Sequence, residues 1–380
     1  MKIGFVYNKF PLYAGGSHIY DFILELSKCF ESIVVVSARF PDVEVKVPSN
    51  VRIVWVPSNK NSIINDIIYI FFSFFYMFVS KEFRKVDLVN VVCSRGAFSA
   101  KLFCFLLQKP IVCTVELVND PRKSIVDSIF YFIQKVAYSK IKYDKIICWS
   151  KYHYLKYLYK WGVNKNNVVF ISNGINSIQK YDINKIKSLH NKYAKGKILI
   201  VFAKPLYMYN KIAAELLLKS VAVLKDDNIV ILMGKGEYEN EIITLSHKLG
   251  IDKNVKYMPF VPMTEIGNYI RASDIIVLPY LYEATVSRSL LESMIAGKAI
   301  VITKVGEIPY ILRNEVNALI VKPTKRQIAK SITKLLNDKA LRKKLGKNAR
   351  EEALLNYSME SVAVKTVNLF NKVLVDKNIK

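Results

Sequence analysis

Apolar residues recur along this chain in short, nearly unbroken runs rich in Val and Ile, each bounded by turn residues and separated by segments of helix length. The first six are "KIGFVY" (2–7), "IVVVS" (33–37), "LVNVV" (88–92), "IVCTV" (111–115), "KIICW" (145–149) and "VVFIS" (168–172). Alternating apolarity marks a strand with one wet face, whereas continuous apolarity marks a strand covered on both. The pattern therefore predicts an α/β protein with parallel sheets under helices. It lapses over the Asn- and Lys-rich stretch 173–197, then resumes with "ILIVFA" (198–203), "IVILM" (229–233), "DIIVLP" (274–279), "AIVIT" (299–303) and "ALIV" (318–321). Two βα-repeating domains are expected, 1–175 and 176–357, and 380 residues suit that number. The tail, "SMESVAVKTVNLFNKVLV" (358–375), has the spacing of an amphipathic helix that packs back on the first domain. In such sheets ligands bind outside the carboxyl ends of the strands, where strand order reverses, so two facing domains would share one cleft.

Charge changes this picture little. The formal net charge is +26, but 23 basic residues against 12 acidic lie in 1–175 and 34 against 19 in the remainder. An excess spread over both halves reads as a basic surface, not a dedicated polyanion groove. Cys29, Cys93, Cys104, Cys113 and Cys148 stand far apart, mostly in apolar runs, which suits reduced core thiols. The N-terminus enters a strand at once, so a cytoplasmic protein is expected. The longest apolar run, Ile67 to Val79, has 13 residues, short of the roughly 20 that span a bilayer.

Candidate chemistry concentrates in "YEATVSRSLLESMIAGKAIV" (282–301). A helix starting near Ser287 points unpaired backbone N–H groups and a positive dipole end at whatever anion precedes it, which suits a pyrophosphate. Ser287, Arg288 and Ser289 line that start, Arg288 can donate two parallel bonds, and Glu292 can accept from vicinal ribose hydroxyls. The plain structural alternative is that Ser287 caps the helix and Arg288 with Glu292 forms an exposed i,i+4 pair.

Motif order extends the reading. "YAGGSHIYDFILEL", "WSKYHYLKYLYKWGV" with "ISNGI", "FAKPLYMYNK", "LMGKGEYENEI", "VKYMPFVPMTEIGNYIRASDIIVLP", the stretch above and "GEIPYILRNEVNALIVKP" follow one another through nearly the whole chain. In that order they resemble retaining, nucleotide-sugar-dependent glycosyltransferases of family 4, which have the GT-B fold of two Rossmann-like domains facing across a donor/acceptor cleft. The resemblance implies that Glu283 contacts the donor sugar and Glu292 the nucleotide ribose. Eight residues separate them here where the family has seven. If the helix sets the register, Ala284 takes the first glutamate's place and Glu283 reaches the sugar only through a one-residue bulge. By the same resemblance Lys204 and Lys211 neutralise the diphosphate, with Tyr209 or Asn210 competing for the place of Lys211. Gly16 and Gly234 let backbone approach the donor. Glu116 stands where many members carry a histidine near the acceptor, and either orients a hydroxyl, acts as a base or is structural. No cofactor or metal is implied, and the chain offers no D-x-D pair. His18, His153, His190 and His247 show no triad or metal spacing and read as ordinary residues.

The expected partners are a nucleotide sugar and a lipid-linked or glycan acceptor. Aromatic and basic residues interleave at 67–85 and again at 138–165, where six tyrosines and Trp161 accompany seven lysines and the single Asp144. That composition suits peripheral attachment to an anionic membrane face. Two other classes compete: a sugar-nucleotide-binding protein without transfer activity, and a basic nucleic-acid-binding protein, for which no known module is present.

Overall fold

The computed structural model describes residues 1–8, 10, 17–38, 45–57, 62–92, 94–119, 124–176, 181–224, 228–282 and 285–378. The chain divides into two compact units, one of residues 1–174 with 359–380 and one of residues 175–358. Each is a doubly wound α/β sheet.

The first unit holds β1 (Lys2–Val6), β2 (Ser32–Ala38), β3 (Val51–Val56), β4 (Leu88–Val92), β5 (Ile111–Val115), β6 (Lys145–Cys148) and β7 (Val168–Phe170). They pair in the order β3-β2-β1-β4-β5-β6-β7, every pair parallel. The second unit holds β8 (Ile198–Ala203), β9 (Asn228–Met233), β10 (Val255–Met258), β11 (Ile275–Leu278), β12 (Ala299–Thr303) and β13 (Leu319–Val321). Their order is β10-β9-β8-β11-β12-β13, again all parallel. Strand order thus reverses between β1 and β4 and between β8 and β11, and the carboxyl ends of these strands are where the fold offers a site.

Two strands escaped the sequence pattern, β3 and β10, and both are sheet edges. Edge strands are only half covered, so Arg52 and Lys256 interrupt their apolar runs and project to solvent. The polar stretch 173–197 also contains a helix, Ile183–Ala194, whose Asp182 cap accepts from the Lys185 amide.

The first unit's sheet has a core on each face. On one, Tyr69, Met77, Phe103 and Tyr138 cover Val34, Val89 and Cys113. On the other, Ile19 and Ile23 meet Val362, Phe370 and Val373 of the final helix, Met359–Asn378, above Phe5 and Val35. The aromatic stretch 138–165 belongs to this interior. Tyr138, Tyr143, Tyr154 and Tyr157 are buried, and of its six tyrosines and two tryptophans only Tyr159 is exposed. The expectation that this stretch offers its rings to a bilayer is therefore corrected. Its rings fill the space beside β5 and β6 while its lysines reach water, as amphipathic cover for a sheet requires. Cys104, Cys113 and Cys148 are buried free thiols, and burial pushes the Cys104 thiol up to about 12. Cys29 is free but exposed.

Candidate active site

In the second unit three loops converge at the reversal point. Residues 204–206 follow β8, residues 234–236 follow β9, and the residues after β11 lead into the helix Arg288–Ile295. The first two loops continue the sheet's pairing beyond its strands. The Lys204 amide donates to the Met233 carbonyl at 2.9 Å, Leu206 to Lys235 at 3.2 Å, and Gly234 to Met258 at 3.1 Å. Glycine is required for this zipper. Gly234 sits at φ +132°, where a Cβ would lie 2.5 Å from the Lys204 carbonyl oxygen, and a Cβ on Gly236 would lie 2.2 Å from that of Leu206. Gly234 therefore serves first to hold the loop that carries Lys204.

The helix start is tied to the same place. Ser289 Oγ donates to the Ala203 carbonyl at 2.6 Å, fixing the helix to the end of β8. Ser287 is the N-cap residue, but its side chain makes no capping bond. Its hydroxyl instead pairs with the Tyr280 hydroxyl at 3.1 Å, and Thr303 holds the Tyr280 carbonyl from β12. Ser287 thus gives the first amides of the helix no side-chain cap, and that helix start lies at the sheet's carboxyl edge.

Glu292 lies one turn in, its side chain 12% exposed and accepting from Arg288 Nε at 2.8 Å. The pair the plain reading expected does form, but not as an exposed one. Burial pushes the Glu292 carboxyl above its ordinary range, while the Arg288 hydrogen bond and the charges of Arg288 and Lys204 pull it back. A carboxylate held partly against its will in a dry niche gains by accepting hydroxyl hydrogens. Lys204 Nζ stands 4.9 Å from the centre of the Tyr280 ring.

Lys211 sits differently. On the helix Met208–Val221, its Nζ pairs with Glu241 and lies 3.9 Å from Glu215 and 4.5 Å from the Tyr238 ring centre. The hydrogen bond to Glu241 raises its pKa. Asn210 Nδ2 donates to the Pro205 carbonyl at 2.7 Å and so braces the same loop. Glu283 and Gly16 lie outside the described residues. The structure therefore brings Lys204, Gly234, Tyr280, Ser287, Arg288, Ser289 and Glu292 to one edge, with Lys211 held to one side by carboxylates.

At the carboxyl edge of the first unit, Glu116 follows β5 directly. Its Oε2 accepts from the Tyr7 hydroxyl at 3.5 Å, and its Oε1 lies 3.7 Å from His18 Nε2. That separation is too long for a hydrogen bond, and neither atom has a protein partner although both are buried. The His18 ring packs edge-on against Trp149, 5.0 Å between centres. A hydroxyl between the two atoms would satisfy both. Sequence spacing had given no reason to select His18 or Tyr280, since their partners are distant in the chain or aromatic. Among the described residues, no group of three or more His, Cys, Asp or Glu side chains is placed to hold a metal ion.

Known structures and sequences share this plan. A sucrose-phosphate synthase of Thermosynechococcus elongatus superposes with a TM-score of 0.81 at 16% identity, over 99% of this chain and all of that one. The HepE protein of Anabaena, solved in complex with UDP, gives 0.79 at 14% identity over 98% of this chain and all of its own. These likenesses define the fold class, the two-domain GT-B fold of glycosyltransferases. Residues 183–352, which lie within the second unit, match the family described as "Glycosyl transferases group 1". An uncharacterized glycosyltransferase of Methanocaldococcus jannaschii is 28% identical over 142 residues, 37% of this chain and 36% of that protein. The chain thus spans little more than a third of that relative's length.

Proposed function

We propose that this protein transfers a sugar, with retention at the anomeric carbon, from a nucleotide-diphosphate donor to an acceptor hydroxyl. The observation that carries the reading is a helix start with Arg288 in its first turn, beside Lys204 and the largely buried Glu292, at the reversal point of the second unit's sheet. In this reading the diphosphate sits before the amides of that helix, Lys204 and Lys211 offset its growing charge as it leaves, and Glu292 accepts the ribose hydroxyls. Charge stabilisation thus falls to lysines and amides, and no metal is assigned a part. Glu283 holds the donor sugar. On the first unit Glu116 orients the acceptor hydroxyl, and the departing phosphate oxygen takes its proton. Binding energy is spent on orientation and charge, the terms available to a site without a protein nucleophile.

The acceptor is a lipid-linked or glycan hydroxyl, met at a membrane face. UDP bound to the Anabaena neighbour supports a uridine donor as the first to try. The test is a thermal-shift and product assay over UDP-, GDP- and ADP-sugars, since a ligand that binds only the native state raises its apparent stability. One nucleotide sugar should shift the melting temperature and release nucleotide when an acceptor is present. No shift with any of them overturns the reading, and a shift without hydrolysis or transfer favours a binding protein without activity.

A further inference from the structure

Three helices of the first unit turn apolar side chains to solvent. Ser62–Val79 exposes Phe71, Phe75 and Val79; Ala97–Leu106 exposes Phe98, Leu102 and Phe105; Ile125–Lys140 exposes Ile125, Ile129 and Phe132. Within each helix the spacing is three or four residues, which makes one stripe per helix. Phe71 and Phe105 are each 73% exposed and Ile125 82%. The opposite sides of all three helices, through Met77, Phe103 and Tyr138, enter one core on one face of the sheet. Their outer stripes therefore point away from the same face. The helices are also fastened together: Ser99 Oγ donates to the Ile70 carbonyl at 2.6 Å, Lys101 Nζ to the Lys142 carbonyl at 2.8 Å, and the Arg95 guanidinium lies 4.5 Å from the Phe130 ring centre. Apolar surface on this scale, drawn from three neighbouring elements, marks an interaction site and not scatter.

Charge selects the occupant. Lys81, Arg84, Lys85, Lys135, Lys140 and Lys142 flank the stripes and are exposed. The nearby acids are engaged elsewhere: Glu82 by Arg52 at 2.7 Å, Asp87 by the Lys2 amide at 2.7 Å, Asp144 by Lys377 at 3.0 Å, and Asp127 by the Asn119 side-chain amide and the Ser124 hydroxyl, each at 2.7 Å. A second copy of this chain would bring the same cations against themselves, each molecule carrying +26 overall. An anionic bilayer meets both the apolar stripes and the basic border, and among the described residues no helix is long and apolar enough to cross it.

We propose that this three-helix face docks the protein flat on a bilayer rich in anionic lipid, with the Phe and Ile side chains in the interfacial layer. The proposal deepens the membrane part of the proposed function and rests on it, but not on the transfer chemistry. The test is flotation of the full chain with phosphatidylglycerol-containing and with pure phosphatidylcholine vesicles, beside a Phe75→Ser/Phe105→Ser variant and a Lys140→Gln/Lys142→Gln variant. The wild type should float with the anionic vesicles only. The double Phe variant should lose about tenfold or more in vesicle affinity, and each lysine about fivefold. Exposed positions leave the fold intact, so the nucleotide-induced thermal shift of both variants should equal that of the wild type. Absence of that shift in the wild type would remove the transfer reading and leave docking standing. Failure to float with either vesicle, or equal flotation of the Phe variant, overturns the docking proposal. A wild-type dimer in sedimentation that the Phe variant abolishes would instead assign the face to self-association.

Discussion

The two units share one plan and differ in what they show to water. Both sheets reverse strand order beside their first strand, yet the first unit covers one face with helices that expose phenylalanine, while the second covers itself with helices such as Lys325–Asn337, whose apolar side is buried. Their carboxyl edges differ as well. In the second unit the polar side chains are braced, Ser287 by the Tyr280 hydroxyl, Ser289 by the Ala203 carbonyl and Glu292 by Arg288. In the first, His18 Nε2 and Glu116 Oε1 face each other across 3.7 Å without a hydrogen bond. Bracing fixes side chains in one geometry, whereas two buried polar atoms without a partner are an unmet hydrogen-bonding demand. Under the proposed function these are the donor edge and the acceptor edge of one fold, and the loops, not the sheet, make the difference.

The largest effect should come from the braced edge. Lys204→Ala should lower sugar transfer by about a hundredfold or more, the cost of removing one fixed group that stabilises developing charge. Lys211→Gln should cost less, because Glu241 and Glu215 already hold that ammonium. Steady-state kinetics of the two variants decides whether the lysines are equivalent, and equal losses would erase the distinction drawn between them.

Acid should separate the units next. Burial pushes His153, which belongs to the first unit, down to about 4 from 6.5. A histidine whose folded pKa is depressed stabilises the fold above its unfolded value, and that stability is lost as pH falls from about 6.5 towards 4. The loss approaches roughly 3 kcal/mol for a shift of this size. Trp55, Trp149 and Trp161 all lie in the first unit, so denaturant unfolding followed by tryptophan fluorescence should track this loss, and a signal flat between pH 7 and 5 would contradict it.

Gly234→Ala should then destabilise the second unit by about 2 kcal/mol, since the added Cβ meets backbone at a positive φ. Differential scanning calorimetry should show the loss while the tryptophan transition stays where it was. The smallest effect concerns Glu292. Its pKa is raised by burial, so the stability linked to its neutral form is present below 4.5 and lost as pH rises through the folded value. Glu292→Gln should therefore raise the melting temperature of the ligand-free protein slightly at pH 7 and weaken the shift produced by a nucleotide. A fall in both would make Glu292 a structural acid only.

Much of this was legible in the chain. Runs such as "IVCTV" and "ILIVFA" located eleven of the thirteen strands among the described residues, because a strand buried on both faces has no polar position to hide it. The helix start at Ser287 was equally plain, since the break between "DIIVLP" and "SLLESMI" is a local event. What escaped depended on distance. Lys211 turns to Glu241, thirty residues away, and His18 meets Glu116 only because β1 and β5 end at the same edge. The aromatic residues at 71–79 and at 138–165 look alike in composition, yet the first group reaches solvent at Phe71, Phe72 and Phe75 while Tyr138, Tyr154 and Tyr157 are core.

The sequence by itself determined two doubly wound sheets, the order of the motifs on them and the helix that opens beside β11, because continuous apolarity and turn residues act over a few positions. The tertiary structure alone decided which charges meet, which aromatics are buried and which polar atoms are left without a partner. Those outcomes depend on which loops the strand order carries to one edge and on which face of a helix the sheet leaves uncovered, and neither is written in any short stretch of chain.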